Sequence, residues 1–129
     1  MKILAVDFGQ KRLGLAFSDI NLDMVLPFGL VVKRTLTAQV RELAALINKE
    51  GVKQVVVGFP VSQNGQENKN TERVKQFVYE LGKLIAVPIA YFDERFTSQA
   101  ADAMGGNVTR DEKSAMQILE GYLIRNKKT

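Results

Sequence analysis

The sequence predicts an α/β fold, a mixed sheet with helices packed on it, and three observations lead there. Two short apolar runs, residues 3–8 and 13–18, flank a tight polar turn and read as a β-hairpin. A later run, residues 53–58, is apolar at Val55, Val56 and Val57 in succession, the pattern of a strand covered on both faces. Two further stretches repeat apolar residues at helical spacing. The resulting order, three strands, helix, strand, helix, strand and two helices, is not the regular alternation of a doubly wound domain.

Each element has its own signal. The first strand ends in Asp7-Phe8-Gly9, and the second carries small residues at Gly14 and Ala16. Pro27 interrupts the next stretch, so the third strand is expected only over residues 29–33. Thr37 caps a helix that reaches about Glu50, striped by Val40, Leu43, Ala44 and Ile47 and stopped by Gly51. Residues 60–68 form a polar loop. A second helix over residues 70–84 presents Val74, Phe77, Val78 and Leu81. A fifth strand over residues 88–92 leads into Asp93-Glu94-Arg95. A short helix from Thr97 or Ser98 to Met104 is broken by Gly105-Gly106-Asn107. Thr109-Arg110-Asp111-Glu112 has the form of a capping box before a last helix with Ala115, Ile118, Leu119, Tyr122 and Leu123 on one face. Residues 126–129 read as a frayed basic tail.

Composition bounds the chemistry. The 129 residues suit one domain, taken as residues 1–129, with 46% hydrophobic and 25% charged residues, an ordinary globular balance. With no Cys there is no disulfide, thiolate metal site or thiol nucleophile, and with no His the commonest general base and zinc ligand are missing. Any metal must be held by oxygen, which favours Mg²⁺ or Mn²⁺. The net charge of +4 and pI of about 9.4 suit a polyanionic partner such as RNA or DNA, although basic proteins without one exist. The apolar run at residues 3–6 is too short for a signal core or a membrane span, so no membrane association and a cytoplasmic location are expected.

Asp7 sits at the C-terminal end of a strand, where α/β sheets commonly place ligands. Gly9 and Gly14 let a phosphate or a backbone come close, and Lys11 and Arg12 add positive charge. An Asp that merely ends a strand and bonds its turn explains the same residue. Asp93 and Glu94 alternate in extended chain, so one can face a site while the other binds locally, and Arg95 can orient a carboxylate or clamp a phosphate. A solvated charged turn is the plain alternative. Asp111 stands in the first turn of the last helix, where interaction with the helix dipole, worth about 0.3–1 kcal/mol, also accounts for it. Glu112 is explained by the capping box. In the loop, Ser62, Gln63 and Asn64 suit contact with a nucleic-acid backbone, and Lys69 and Arg73 extend a basic rim. Three carboxylates from separate elements could serve metal-dependent phosphodiester hydrolysis, which needs no His, but spacing alone does not bring them together.

The run Asp7-Phe8-Gly9-Gln10-Lys11-Arg12-Leu13-Gly14-Leu15-Ala16-Phe17-Ser18-Asp19 resembles the N-terminal signature of the YqgF family, also called RuvX. Val56-Val57-Gly58-Phe59-Pro60 with Asn64-Gly65 is similar to the family's next motif. Asp93-Glu94-Arg95-Phe96-Thr97, and Asp111 leading to Ile118-Leu119-Glu120-Gly121-Tyr122-Leu123, follow in the family's order. The resemblance spans nearly the whole chain. It implies an RNase H-like fold, similar to RuvC-type Holliday-junction resolvases. The first three strands would then be antiparallel, and the fourth and fifth would run parallel to the first. It also implies a nuclease, with processing of the 5′ end of the 16S ribosomal RNA precursor as the favoured role in ribosome biogenesis. Asp7, Glu94 and Asp111 match the family's catalytic and metal-binding carboxylates. The departures fall in the last segment, where Glu112, Lys113 and Ser114 replace small residues and Glu120 replaces a Gln. They bear on how closely the last helix approaches the sheet.

The leading expectation is therefore a Mg²⁺- or Mn²⁺-dependent endonuclease for structured RNA, with Lys11, Arg12, Asn64, Arg95 and Arg110 contacting nucleic acid. One alternative is a resolvase for branched DNA, which a homodimer with two sites would favour over a monomer. Another is an RNA-binding module that does not cleave. An actin-like ATPase, whose first phosphate loop resembles residues 7–14, would need two such domains, and the chain has length for one.

Overall fold

The computed structural model describes residues 2–19, 24–62, 64–96 and 108–126. The strands are β1 (Lys2–Phe8), β2 (Arg12–Asp19), β3 (Met24–Val32), β4 (Val52–Phe59) and β5 (Ile89–Asp93). Among the described residues the helices are α1 (Leu36–Glu50), α2 (Lys69–Gly82) and α3 (Arg110–Asn126), with a 3₁₀ turn at Glu94–Phe96. The sheet order is β3-β2-β1-β4-β5. β1 pairs antiparallel with β2, and β2 antiparallel with β3, while β4 lies parallel to β1 and β5 parallel to β4. This is the mixed five-stranded sheet that the resemblance implied. No described helix is long and apolar enough to cross a membrane.

Two elements differ from expectation for local reasons. The third strand starts at Met24 and runs through Pro27. It lies at the sheet edge, where a missing N–H breaks no central ladder, and the register shifts between Leu15 and Ala16, opposite Gly29 and Pro27. Helix α1 is capped by Thr35 rather than Thr37, and the Thr35 hydroxyl accepts from the Ala38 N–H at 3.2 Å. It ends as expected at Gly51, in the left-handed region at φ 67°. The capping box of α3 forms: the Glu112 carboxylate accepts from the Thr109 N–H at 3.2 Å, and the Thr109 hydroxyl accepts from the Glu112 N–H at 3.1 Å. The helix expected between Thr97 or Ser98 and Met104, the Gly105-Gly106-Asn107 break and residues 127–129 of the tail lie outside the described residues.

Strand alternation divides the sheet into two unlike faces. On one, Leu4, Val6, Leu13, Leu15, Val55 and Val57 pack against α1 and α2. There Phe77 is completely buried, worth roughly 1.5–3 kcal/mol of apolar burial, and its ring lies 5.0 Å from that of Phe8. On the other face, Ile3, Ala5, Ala16, Val56 and Phe92 meet Ala115, Met116, Ile118 and Leu119 of α3. Small sheet residues let this helix lie close. A side chain at Gly14 would collide with the Asp111 carbonyl, and one at Gly121 would come within 2.8 Å of the Phe92 ring. The Glu112 carboxylate also accepts from the Gly29 N–H at 2.7 Å, fastening α3 to the bulged edge of the sheet. Despite the departures in its sequence, the last helix is therefore held tightly.

Candidate functional site

Alternation along β1 puts Ile3 and Ala5 against α3, so Asp7 points to the same side, next to the first turns of that helix. It lies directly across the hairpin from Gly14. Glu94 follows β5 immediately, and its side chain hydrogen-bonds that of Asp7. Their approach depends on Gly58 at the end of β4, where a Cβ would stand 2.5 Å from the Glu94 Oε1 and 2.6 Å from Ile118. Ser114 of α3 lines a hollow together with Asp7 and Glu94, its hydroxyl donating to the Arg110 carbonyl at 3.2 Å.

Burial is the main reason that the Asp7 carboxyl is raised from 3.8 to about 7, and the nearby charges of Glu94 and then Asp111 push it further the same way. Burial likewise raises Glu94, which the hydrogen bond to Asp7 partly offsets. The two form a carboxylate pair that holds a proton near neutral pH and would ionise fully beside a cation.

The alternation expected at Asp93 and Glu94 is realised. Glu94 turns to Asp7, while Asp93 turns away and takes the Arg95 guanidinium at 2.6 Å, a hydrogen bond that holds its carboxyl below the usual range. Asp111 lies near enough to raise Asp7 by its charge, yet its own carboxylate pairs with Arg12 at 3.3 Å. Arg12 and Arg95 thus each carry an acidic partner. Lys11 is exposed on the hairpin turn. Asn64 organises its loop: its side-chain oxygen accepts from the Ser62 hydroxyl at 2.5 Å and from the Gln66 N–H at 3.1 Å. Arg110 lines a cleft with Lys113, Ser114 and Gln117, and Ser114 and Gln117 also line a hollow that reaches Asp7 and Glu94.

A second cavity of about 220 Å³ opens on the other side of the pair, between the β1–β2 turn and α2. Its walls include Asp7, Glu94, Gln10, Asn70 and Arg73. The turn is pinned from below by Gln39 of α1, whose buried amide donates to the carbonyls of Gly9 at 3.0 Å and Gln10 at 3.2 Å. Sequence reading missed Gln39, Gln10, Asn70 and Ser114 as parts of this region. For Gln39 a signal existed, a polar residue directly beside the apolar stripe of α1. For the others the proximity is purely tertiary.

The donor set suits a hard divalent cation in its chemistry. It is all oxygen and partly desolvated, and among the described residues no Lys or Arg forms an ion pair with Asp7 or Glu94. Among the described residues, however, no three acidic side chains converge tightly enough to form a ready-made metal cluster. Asp7 and Glu94 form the core of the arrangement, and Asp111 stands beside it in its pairing with Arg12.

Comparison with known proteins finds relatives over nearly the whole chain. A family model described as "RuvX: Holliday junction resolvase" matches residues 1–125. A protein of Maridesulfovibrio salexigens named "Putative pre-16S rRNA nuclease" is 37% identical, over 97% of this chain and 99% of its own length. Among solved structures, RuvC of Thermus thermophilus superposes with a TM-score of 0.63 over 99% of this chain and 96% of its own, at 13% identity. RuvC of the same organism bound to a Holliday junction gives 0.61 at 14% identity, with the same coverage. At these identities the two structures establish the likeness of fold.

Proposed function

The chain belongs to the RuvX family of Holliday junction resolvases, and from that membership we propose that it is a metal-dependent nuclease hydrolysing phosphodiester bonds at the 5′ end of the 16S ribosomal RNA precursor. One observation supports the activity above all others. Asp7 and Glu94, far apart in sequence, meet as a half-buried carboxylate pair at the C-terminal ends of β1 and β5, with Asp111 beside them.

In this reading Asp7 and Glu94 hold Mg²⁺ or Mn²⁺, and Asp111 completes the set. When bound, the cation supplies Lewis-acid polarisation of the phosphoryl group and makes water reactive at neutral pH. The chain's own residues do the rest. Arg12 positions Asp111, and Gly58 leaves the space in which Glu94 reaches Asp7. The protons released are taken by carboxylates or solvent, since the sequence has no His. Lys11, Arg110 and the Asn64 loop supply backbone contacts along the strand.

The substrate follows the names of the full-length relatives, whereas the family description favours cleavage of a DNA junction. The two are separated by offering a labelled 16S precursor fragment and a labelled four-way junction, each with and without Mn²⁺. The proposal expects Mn²⁺-dependent cleavage of the RNA that is lost in Asp7→Asn. Cleavage of the junction alone would replace the substrate. Binding without any cleavage, unchanged in Asp7→Asn, would make the chain a binding module and refute the nuclease.

A further inference from the structure

We propose that Arg73 binds a phosphate of the substrate strand in the cavity beside the Asp7–Glu94 pair, with Gln10 and Asn70 setting the plane of its guanidinium. The inference rests on the nuclease reading of the same site and assigns it a phosphate-binding residue.

The cations near the carboxylates are not equivalent. Arg12 is paired with Asp111 at 3.3 Å, and Arg95 with Asp93 at 2.6 Å. Arg73 lines the same cavity as Asp7 and Glu94, but the oxygens that hold it are neutral amides. The Asn70 side-chain oxygen accepts from its Nη1 at 3.2 Å. The Gln10 side-chain oxygen, with the amide turned to face the guanidinium, accepts from the same nitrogen at 2.7 Å. Among the described residues no carboxylate lies within ion-pair distance of Arg73. Amide oxygens orient a guanidinium without cancelling its charge, so the positive charge stays available to an anion.

The surroundings keep that arrangement in place. The Gln39 amide holds the Gln10 carbonyl, and the Thr71 hydroxyl ties the start of α2 to the Pro60 carbonyl at 2.6 Å. Gly9, Gly58 and Pro60 complete much of the wall and bring no competing charge. An anionic strand that approaches two carboxylates is repelled unless fixed positive charge lies beside them. A guanidinium suits that task, because its planar fork matches two phosphate oxygens.

Binding of labelled single-stranded RNA and of junction DNA is measured by fluorescence anisotropy with EDTA present, across a range of salt concentrations. Arg73→Gln is expected to weaken binding about tenfold for every sequence tested, and to lower the slope of log affinity against log salt by about 1. Arg73→Lys is expected to restore the slope but not the full affinity, because the charge returns without the fork. Lys83→Gln, at the far end of α2, is expected to change neither. Unchanged affinity and slope in Arg73→Gln overturn the proposal, as does weaker binding with an unaltered slope, which a merely structural role would give. The two readings fail separately. A chain whose binding depends on Arg73 but which cuts nothing refutes the nuclease alone. A chain that cuts with a salt slope indifferent to Arg73 refutes the phosphate site alone.

Discussion

The two faces of the sheet are built to opposite rules. The face under α1 and α2 is filled by large side chains, Leu4, Leu13, Leu15 and Phe77 among them. The face under α3 carries small ones, Ala5, Ala16, Gly14 and Gly58, beneath the helix beside the larger Ile3, Val56 and Phe92. The first face supplies cohesion. The second gives up volume so that a helix can lie close enough to bring Ser114 and Asp111 to Asp7. Stability and the candidate chemistry are thus spatially separated, and substitutions on the two faces should fail in different ways.

The largest effect on stability is expected from Phe77→Ala, at about 3–5 kcal/mol in urea unfolding, because a fully buried ring leaves a cavity. Activity per folded molecule should hardly change, and a large loss would deny the separation of the two faces.

Asp7→Asn should act in the opposite sense. An acid whose folded value is raised from 3.8 to about 7 favours the folded state fully below about pH 3.8 and loses that advantage as pH climbs through about 7. Without divalent cation the variant should therefore be more stable than the native chain at pH 8, by no more than roughly 4 kcal/mol and with a higher melting temperature, and the difference should vanish towards pH 4. A variant that melts lower at pH 8 would mean that the carboxylate is not strained in the way described.

Gly58→Ala is expected to cost about 1–3 kcal/mol, since its methyl group meets Glu94 and Ile118. Displacing Glu94 should also reduce cleavage about a hundredfold, far beyond the stability loss. An active Gly58→Ala enzyme would show that the close approach of Glu94 is dispensable. The smallest effect belongs to the cap of α3. Thr109→Ala should cost about 1 kcal/mol in thermal unfolding, and a neutral result would mean that the Glu112 bond to Gly29 holds the helix alone.

The elements governed by local rules were legible in the sequence. The hairpin, the apolar stripe of α1, the α3 capping box and the alternation separating Asp93 from Glu94 all follow from periodicity and short-range chemistry. Pro27 misled because a single proline does not reveal that its strand lies at an edge, and Thr35 competed with Thr37 as two residues equally able to cap. The meeting of Asp7 and Glu94 was implied by family resemblance and not by spacing, since it depends on β4 lying between β1 and β5. The pairing of Asp111 with Arg12 and the amide cradle of Arg73 were not legible, because both are set by how α2 and α3 sit against the first hairpin.

The central claim is that Asp7 and Glu94 form a seat for a divalent cation. The direct measurement is thermal unfolding at pH 8 while Mn²⁺ is titrated into the native chain and into Asp7→Asn. The account predicts a saturable rise in melting temperature for the native chain and none for the variant, so that the order of the two curves reverses as Mn²⁺ is added. Equal rises in both, or no rise in the native chain, would contradict it.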